Sequence, residues 1–184
     1  PSSSAPAPVP DSASTSVEFL PPAYGDRSLG DVVPAVGRAL GVGDPEDGPT
    51  GLHLPQASAY VVFLVDGLGA RLLERYSHAA PYLSSLRQVA PDATAGVPST
   101  TATSLTSLGT GLVPGAHGVV GFTSRIPGTD RLLNALAWDK SVDPQEWQPH
   151  PTAFAGLRSA GVDVTVVNKR EFRGSGLTVA AHRG

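Results

Sequence analysis

The sequence contains no cysteine and no methionine. Without cysteine there are no disulfides and no thiolate metal sites, and the redox compartment is left open. The lack of methionine, in a chain that starts at Pro1, leads to the expectation that these 184 residues are part of a longer translation product. Lysine is almost missing as well, and stands only at Lys140 and Lys169. With 13 Lys+Arg against 16 Asp+Glu the formal net charge is −3. A basic face that could neutralise a phosphate backbone is therefore not expected, and long nucleic acid is excluded as a partner. No apolar run approaches the ~20 residues of a membrane span, so no transmembrane segment is expected. The first residues show neither the basic start nor the apolar core of a secretory leader, and the expected location is cytoplasmic.

What the chain does have is one concentrated apolar run, Ala59-Tyr60-Val61-Val62-Phe63-Leu64-Val65, rich in β-branched and aromatic types. A run without alternation suits a strand buried on both faces of a parallel sheet. Asp66-Gly67 ends it, and Leu68, Ala70, Leu72 and Leu73 begin a helical pattern. Asp66 is thereby expected at the carboxyl end of a core strand, where open α/β sheets bind ligands. Asp-Gly is also a common turn pair, and on position alone the two readings compete evenly.

A second stretch shifts the balance toward function. Pro98 precedes Ser99-Thr100-Thr101, and Ala102, Leu105 and Leu108 follow at helical spacing. One hydroxyl would cap the helix; three exceed what a cap needs. A helix N-terminus attracts phosphate through its free N–H groups and its dipole. A hydroxyl placed there, beside a metal-bound carboxylate, is a candidate nucleophile. Gly109-Thr110-Gly111 then stops the helix, and Pro114-Gly115-Ala116-His117-Gly118 makes a tight turn.

These stretches together resemble the type I phosphodiesterase/nucleotide pyrophosphatase family of the alkaline phosphatase superfamily. Asp66-Gly67 matches the family's strand-ending Asp-Gly, and Pro98-Ser99-Thr100-Thr101 its Pro-Thr-x-Thr segment. The run from Thr110 through Gly111, Leu112, Pro114, His117 and Gly118 matches its Thr-Gly-Leu-x-Pro-x-x-His-Gly turn. The resemblance covers residues 59–121 strongly and the remainder by general pattern. It implies Asp66 as a metal ligand and Thr101 as the metal-bound nucleophile. It also implies two divalent ions, zinc by type, about 4 Å apart, with the remaining ligands outside this chain. The implied substrate is a small phosphodiester or nucleotide, cleaved at a phosphodiester or pyrophosphate bond. Where the family usually carries an asparagine that contacts a phosphate oxygen, this chain has Phe122 beside Thr123, so the resemblance leaves the subsite contacts and nucleotide preference open. The implied fold is a three-layer α/β/α sandwich of alkaline-phosphatase-like type, incomplete in this chain.

Taken in order, residues 1–27 are rich in Pro, Ser and Ala and read as a disordered or draped tail, with Val17, Phe19, Leu20 and Tyr24 available to pack onto the domain. Residues 28–58 hold an N-terminal helix and a loop. Ser28 and Asp31 have the spacing of a capping box, Val32, Val33, Val36, Ala39 and Leu40 form an apolar face, and Gly41 ends the helix. Asp44, Glu46 and Asp47 read as a solvated acidic turn. Residues 59–184 are read as the N-terminal half of the catalytic domain. Helices are expected over residues 68–76 and 81–88. Residues 119–122 read as a short strand or an extended piece and 131–139 as a strand or a short helix. Asp143-Pro144 and Thr152 open two further helices, the second ended by Gly161. Residues 162–168 suit a second parallel strand, and 174–178 a loop. Helix followed by strand at this spacing is a βαβ signature.

Other motifs fall short. Gly67-Leu68-Gly69 lacks the third glycine of a dinucleotide fingerprint, since Leu72 stands there. Residues 109–115 have no Gly-Lys-Ser/Thr, and no Gly-x-Ser-x-Gly elbow is present. None of His53, His78, His117, His150 and His182 is spaced from another as a local zinc pair. His117 reads as a structural histidine bonded to backbone rather than a ligand. Asn134 is a candidate donor to a phosphate oxygen, against the plainer reading of an exposed polar residue. Trp138 and Trp147 read as packing. Two alternative functions share the same residues: a phosphomonoesterase or phosphomutase of the same superfamily, and a non-catalytic binding module on the same fold.

Overall fold

A computed structural model describes residues 19–42, 51–88, 90 and 92–184. The acidic turn at Asp44, Glu46 and Asp47, Val17 and the first eighteen residues lie outside these.

Helix α1, Leu29–Ala39, begins where the sequence pattern places it. The Asp31 carboxylate accepts from the Ser28 backbone N–H at 2.7 Å and from its hydroxyl at 2.6 Å, which fixes the first turn. Gly41, at φ +77°, takes the left-handed conformation that ends the helix. Helices α2, Ala70–Arg75, and α3, Pro81–Ser85, are short and exposed, with a single 3-10 turn, Ser77–Ala79, between them.

Helix α4, Thr101–Thr110, is the centre of the packing. Helix α1 and the later helix Gly176–His182 lie against it, and the helices Pro114–His117 and Ala153–Ser159 touch it as well. Its Ala102, Thr103, Thr106, Ser107, Leu108 and Thr110 are all buried. A helix so rich in hydroxyls can be buried because it satisfies them itself. Thr106 Oγ1 donates to the Ala102 carbonyl at 2.8 Å and Thr110 Oγ1 to the Thr106 carbonyl at 2.7 Å. Gly111, at φ +75°, ends α4. Helix α5, Pro114–His117, follows with proline in its first turn and closes on Gly118.

Strands β1, Thr123–Arg125, and β2, Leu132–Asn134, form an antiparallel hairpin in which Ser124 faces Leu133. Helix α6, Pro144–Trp147, is capped by Asp143, which accepts from the Gln145 N–H at 2.7 Å. Helix α7, Ala153–Ser159, is capped by Thr152, which accepts from the Ala155 N–H at 3.0 Å, and Gly161 ends it at φ +85°. Helix α8, Gly176–His182, is capped by Ser175. Ala102, Val119, Ala135 and Leu177 form the core, with Leu105, Trp138 and Trp147 packed on it. The two tryptophan rings meet edge to face at 6.5 Å, and the Trp138 Nε1–H donates to the Val142 carbonyl. Helices plus a small antiparallel sheet give the chain its α/β content.

Three expectations are corrected. Residues 59–65 and 162–168, read as parallel strands, belong to no sheet among the described residues. Val61 is 92% exposed, Phe63 76% and Val167 92%. A doubly buried strand needs ladder partners on its edges and apolar layers on both faces, and no described segment supplies them. Residues 174–178, read as a loop, open α8. Its Leu177, Ala180 and Ala181 turn inward against α4 and α6, so packing overrides the glycines flanking Ser175.

Candidate active site

Asp66 follows the apolar run, and the left-handed turn at Gly67 (φ +71°) sends the chain into α2. Thr101 is the first residue of α4. The two side chains meet: Thr101 Oγ1 donates to Asp66 Oδ2 at 3.3 Å, across 35 residues of sequence. Asp66 is exposed and Thr101 half-buried, so a solute can reach both.

The other hydroxyls of this turn are used differently. Thr100 stands at the cap position, yet its Oγ1 pairs with Thr103 Oγ1 at 3.0 Å rather than with a backbone N–H. The backbone N–H groups that open α4 therefore donate to no capping side chain, which leaves them able to donate to an anion or water. Ser99 is exposed.

His117 is held inside. Its Nδ1 accepts from the Val119 backbone N–H at 3.1 Å, which places the proton on Nε2, and Nε2 pairs with Ser107 Oγ at 2.9 Å. Both ring nitrogens are committed to the protein, as the structural reading of this histidine requires. Burial pushes its pKa from the ordinary 6.5 down to about 4, and the His150 charge acts in the same direction. Ser107 is the partner that the sequence reading did not name. The available signal was a serine on the inward face of a helix, just before a glycine turn that carries a histidine.

Asn134 is not brought to the Asp66–Thr101 pair by any hydrogen bond among the described residues. Its Oδ1 accepts from the Leu136 N–H at 2.9 Å and the Ala137 N–H at 3.3 Å, which closes the turn after β2. An open depression of about 450 Å³ lies beside Gly118, Asp143, Glu146 and Trp147; neither Asp66 nor Thr101 lines it. Among the described residues no group of three or more His, Asp or Glu is arranged to hold a metal ion. Asp66 and Thr101 fit a metal only as part of a larger set: two oxygen donors of the type that divalent ions accept, side by side and within reach of solvent.

The model of the family described as type I phosphodiesterase/nucleotide pyrophosphatase matches residues 60–182. The chain belongs to that family. The family is part of the alkaline phosphatase superfamily. The match runs through Asp66, Thr101 and His117, the residues on which the resemblance in the sequence rests. Searches of curated proteins and of solved structures return no match. No helix among the described residues is long and apolar enough to cross a membrane.

Proposed function

We propose that this chain carries the nucleophile of a metal-dependent hydrolase that cleaves phosphodiester or pyrophosphate bonds in small substrates, nucleotides among them. The observation that supports this most directly is the hydrogen bond from Thr101 Oγ1 to Asp66 Oδ2 at the N-terminus of α4, within a chain of this family.

In this reading Thr101 Oγ attacks phosphorus in line. A P–O bond to Thr101 forms as the hydroxyl proton passes to solvent, the bond to the leaving oxygen breaks, and the departing group takes a proton from water. Water then hydrolyses the phosphothreonine and restores the hydroxyl. The N–H groups at the start of α4 face the charge that develops on the phosphoryl oxygens. Asp66 and Thr101 would together hold one of two divalent ions, zinc by the family's type. Such an ion supplies positive charge that lowers the pKa of the hydroxyl and offsets the charge of the phosphoryl group. The other ligands of such a centre would come from outside this chain. Asn134 serves as a substrate contact only if its turn opens toward the phosphoryl group.

The test is Thr101→Ala in the whole protein, assayed on an aryl phosphodiester with divalent metal. Turnover is expected to fall by at least about a thousandfold, with the fold kept and most metal retained. Full activity in that variant overturns the assignment, and a loss that follows Thr100→Ala instead moves the nucleophile by one position.

A further inference from the structure

The family match begins at residue 60, yet the segment that enters the nucleophile helix is held from outside that match. Five hydrogen bonds join residues 23–29 to residues 92–97. The Leu29 N–H donates to the Thr94 carbonyl at 3.0 Å and the Thr94 N–H to the Arg27 carbonyl at 2.8 Å. These make a parallel bridge between Ser28 and Thr94. The Ala23 N–H donates to Thr94 Oγ1 at 2.8 Å, and Arg27 Nε to the Asp92 carbonyl at 3.2 Å. Tyr24 completes the set: its Oη accepts from the Val97 N–H at 2.9 Å, four residues before Thr101.

The packing matches the hydrogen bonds. A Cβ placed on Gly96 would meet Tyr24 Oη and Pro114 Cγ, each at 3.2 Å. The approach to Thr101 is therefore clasped between the tyrosine and the proline of the glycine turn, tightly enough that a side chain at Gly96 would push one of them back by a few tenths of an ångström. The same N-terminal segment also reaches the far end of α4. A Cβ on Gly30 would meet the Leu112 carbonyl at 3.2 Å, and one on Gly111 would meet Pro34 Cγ at 3.1 Å. Residues 23–34 thus hold α4 at its entry and at its exit.

We infer that Tyr24 is a positioning residue for the nucleophile. Through its bond to the Val97 N–H and its contact with Gly96, it fixes the backbone that delivers Thr101 to Asp66. This rests on the reading of Thr101 as the nucleophile. An exposed loop without such a clasp would sample many backbone states, and displacement of a reacting group by about 1 Å costs on the order of a hundredfold in rate. Loss of the single bond costs less, because the contact with Pro114 remains.

The test compares wild type, Tyr24→Phe and Thr101→Ala in the whole protein. Amide hydrogen exchange is followed at residues 94–101, kcat and KM are measured on bis(4-nitrophenyl) phosphate, and thermal unfolding is recorded. Tyr24→Phe keeps the ring against Gly96 and removes only the acceptor. Exchange at Val97 is expected to rise, and kcat to fall, by about five- to tenfold, with KM within about twofold of wild type. Unchanged exchange at Val97 overturns the proposal. So does a lowered Tm with wild-type kcat, which marks a merely structural role. If Tyr24→Phe does not fold, Thr94→Val, which removes the Ala23 tie, is read by the same measurements. An inactive Thr101→Ala beside a wild-type Tyr24→Phe leaves the nucleophile in place and removes the clasp. A fully active Thr101→Ala removes both.

Discussion

Thr101 and Asp66 are 35 residues apart in sequence, and their side chains lie 3.3 Å apart, oxygen to oxygen. A hydroxyl so close to a carboxylate has its proton already directed at the group that would share a cation with it. Asp66→Asn keeps the shape and removes the charge. Loss of an outer hydrogen-bond partner of a metal ligand costs about 10–100-fold in affinity, and loss of a ligand's charge costs at least as much. Asp66→Asn in the whole protein is therefore expected to lower metal occupancy and turnover together. Unchanged metal content by elemental analysis would make Asp66 a turn residue.

His117 sets an acid limit on stability. Its pKa is held down to about 4 in the folded state against an ordinary 6.5, so between these values the unfolded chain binds more protons than the folded one. Stability then rises with pH across this window. The contribution is complete above about pH 6.5 and is lost progressively as pH falls toward 4. Denaturation midpoints measured from pH 7 to pH 4 should show that slope. His117→Gln, which cannot charge, should flatten it while lowering stability at pH 7. A slope unchanged in that variant would assign the effect to other groups.

Much of this was legible from local chemistry. Asp143, Thr152 and Ser28 read as helix starts, and Gly41, Gly111 and Gly161 as helix ends, because each works through atoms a few residues away. The pairing of Asp66 with Thr101 was legible through the motifs that carry them. The fate of residues 59–65 and 162–168 was not. An apolar run states that it must be covered, but the covering strands are non-local, and among the described residues they do not occur. Helix α8 was missed for the opposite reason: Gly174 and Gly176 suggest a loop, while contacts with α4 and α6 hold the segment helical. Tyr24 is legible as a residue able to pack onto the domain, but its lead's composition does not name Val97 as the partner.

At Gly109 the α4 backbone lies directly against α8. A Cβ there would run into the Ala181 carbonyl. Alanine gains about 1 kcal/mol over glycine in a helix, but overpacking against a backbone atom costs about 1–3 kcal/mol. The obstacle belongs to a helix also tied by Gln148 Nε2 to the Ala180 carbonyl at 2.8 Å and by Arg183 to the Gln148 carbonyl at 2.7 Å, so it cannot easily yield. Gly109→Ala is expected to lose up to about 2 kcal/mol net and to lower Tm by up to about 8 °C. A variant as stable as wild type would show that α8 moves freely over α4.

Residues 1–184 expressed by themselves are expected to show no metal-dependent turnover. A two-metal centre takes about six or seven protein ligands, and Asp66 and Thr101 are two. The measurement is hydrolysis of an aryl phosphodiester by the isolated chain with added zinc. Turnover that Thr101→Ala abolishes would mean that the remaining ligands lie within this chain after all.

The buried hydroxyls of α4 carry one more consequence. Those of Thr106 and Thr110 bond back to their own helix, and that of Thr103 pairs with Thr100. None of these resists rotation of the helix about its axis. Ser107 differs, because its hydroxyl leaves the helix for His117 Nε2. It acts as a key in a shaft. Thr101 stands six residues earlier, about 240° round the same axis, so the azimuth at which it presents its oxygen to Asp66 is registered by a serine near the opposite end. Ser107→Ala would leave the chemistry of Thr101 untouched and loosen its aim.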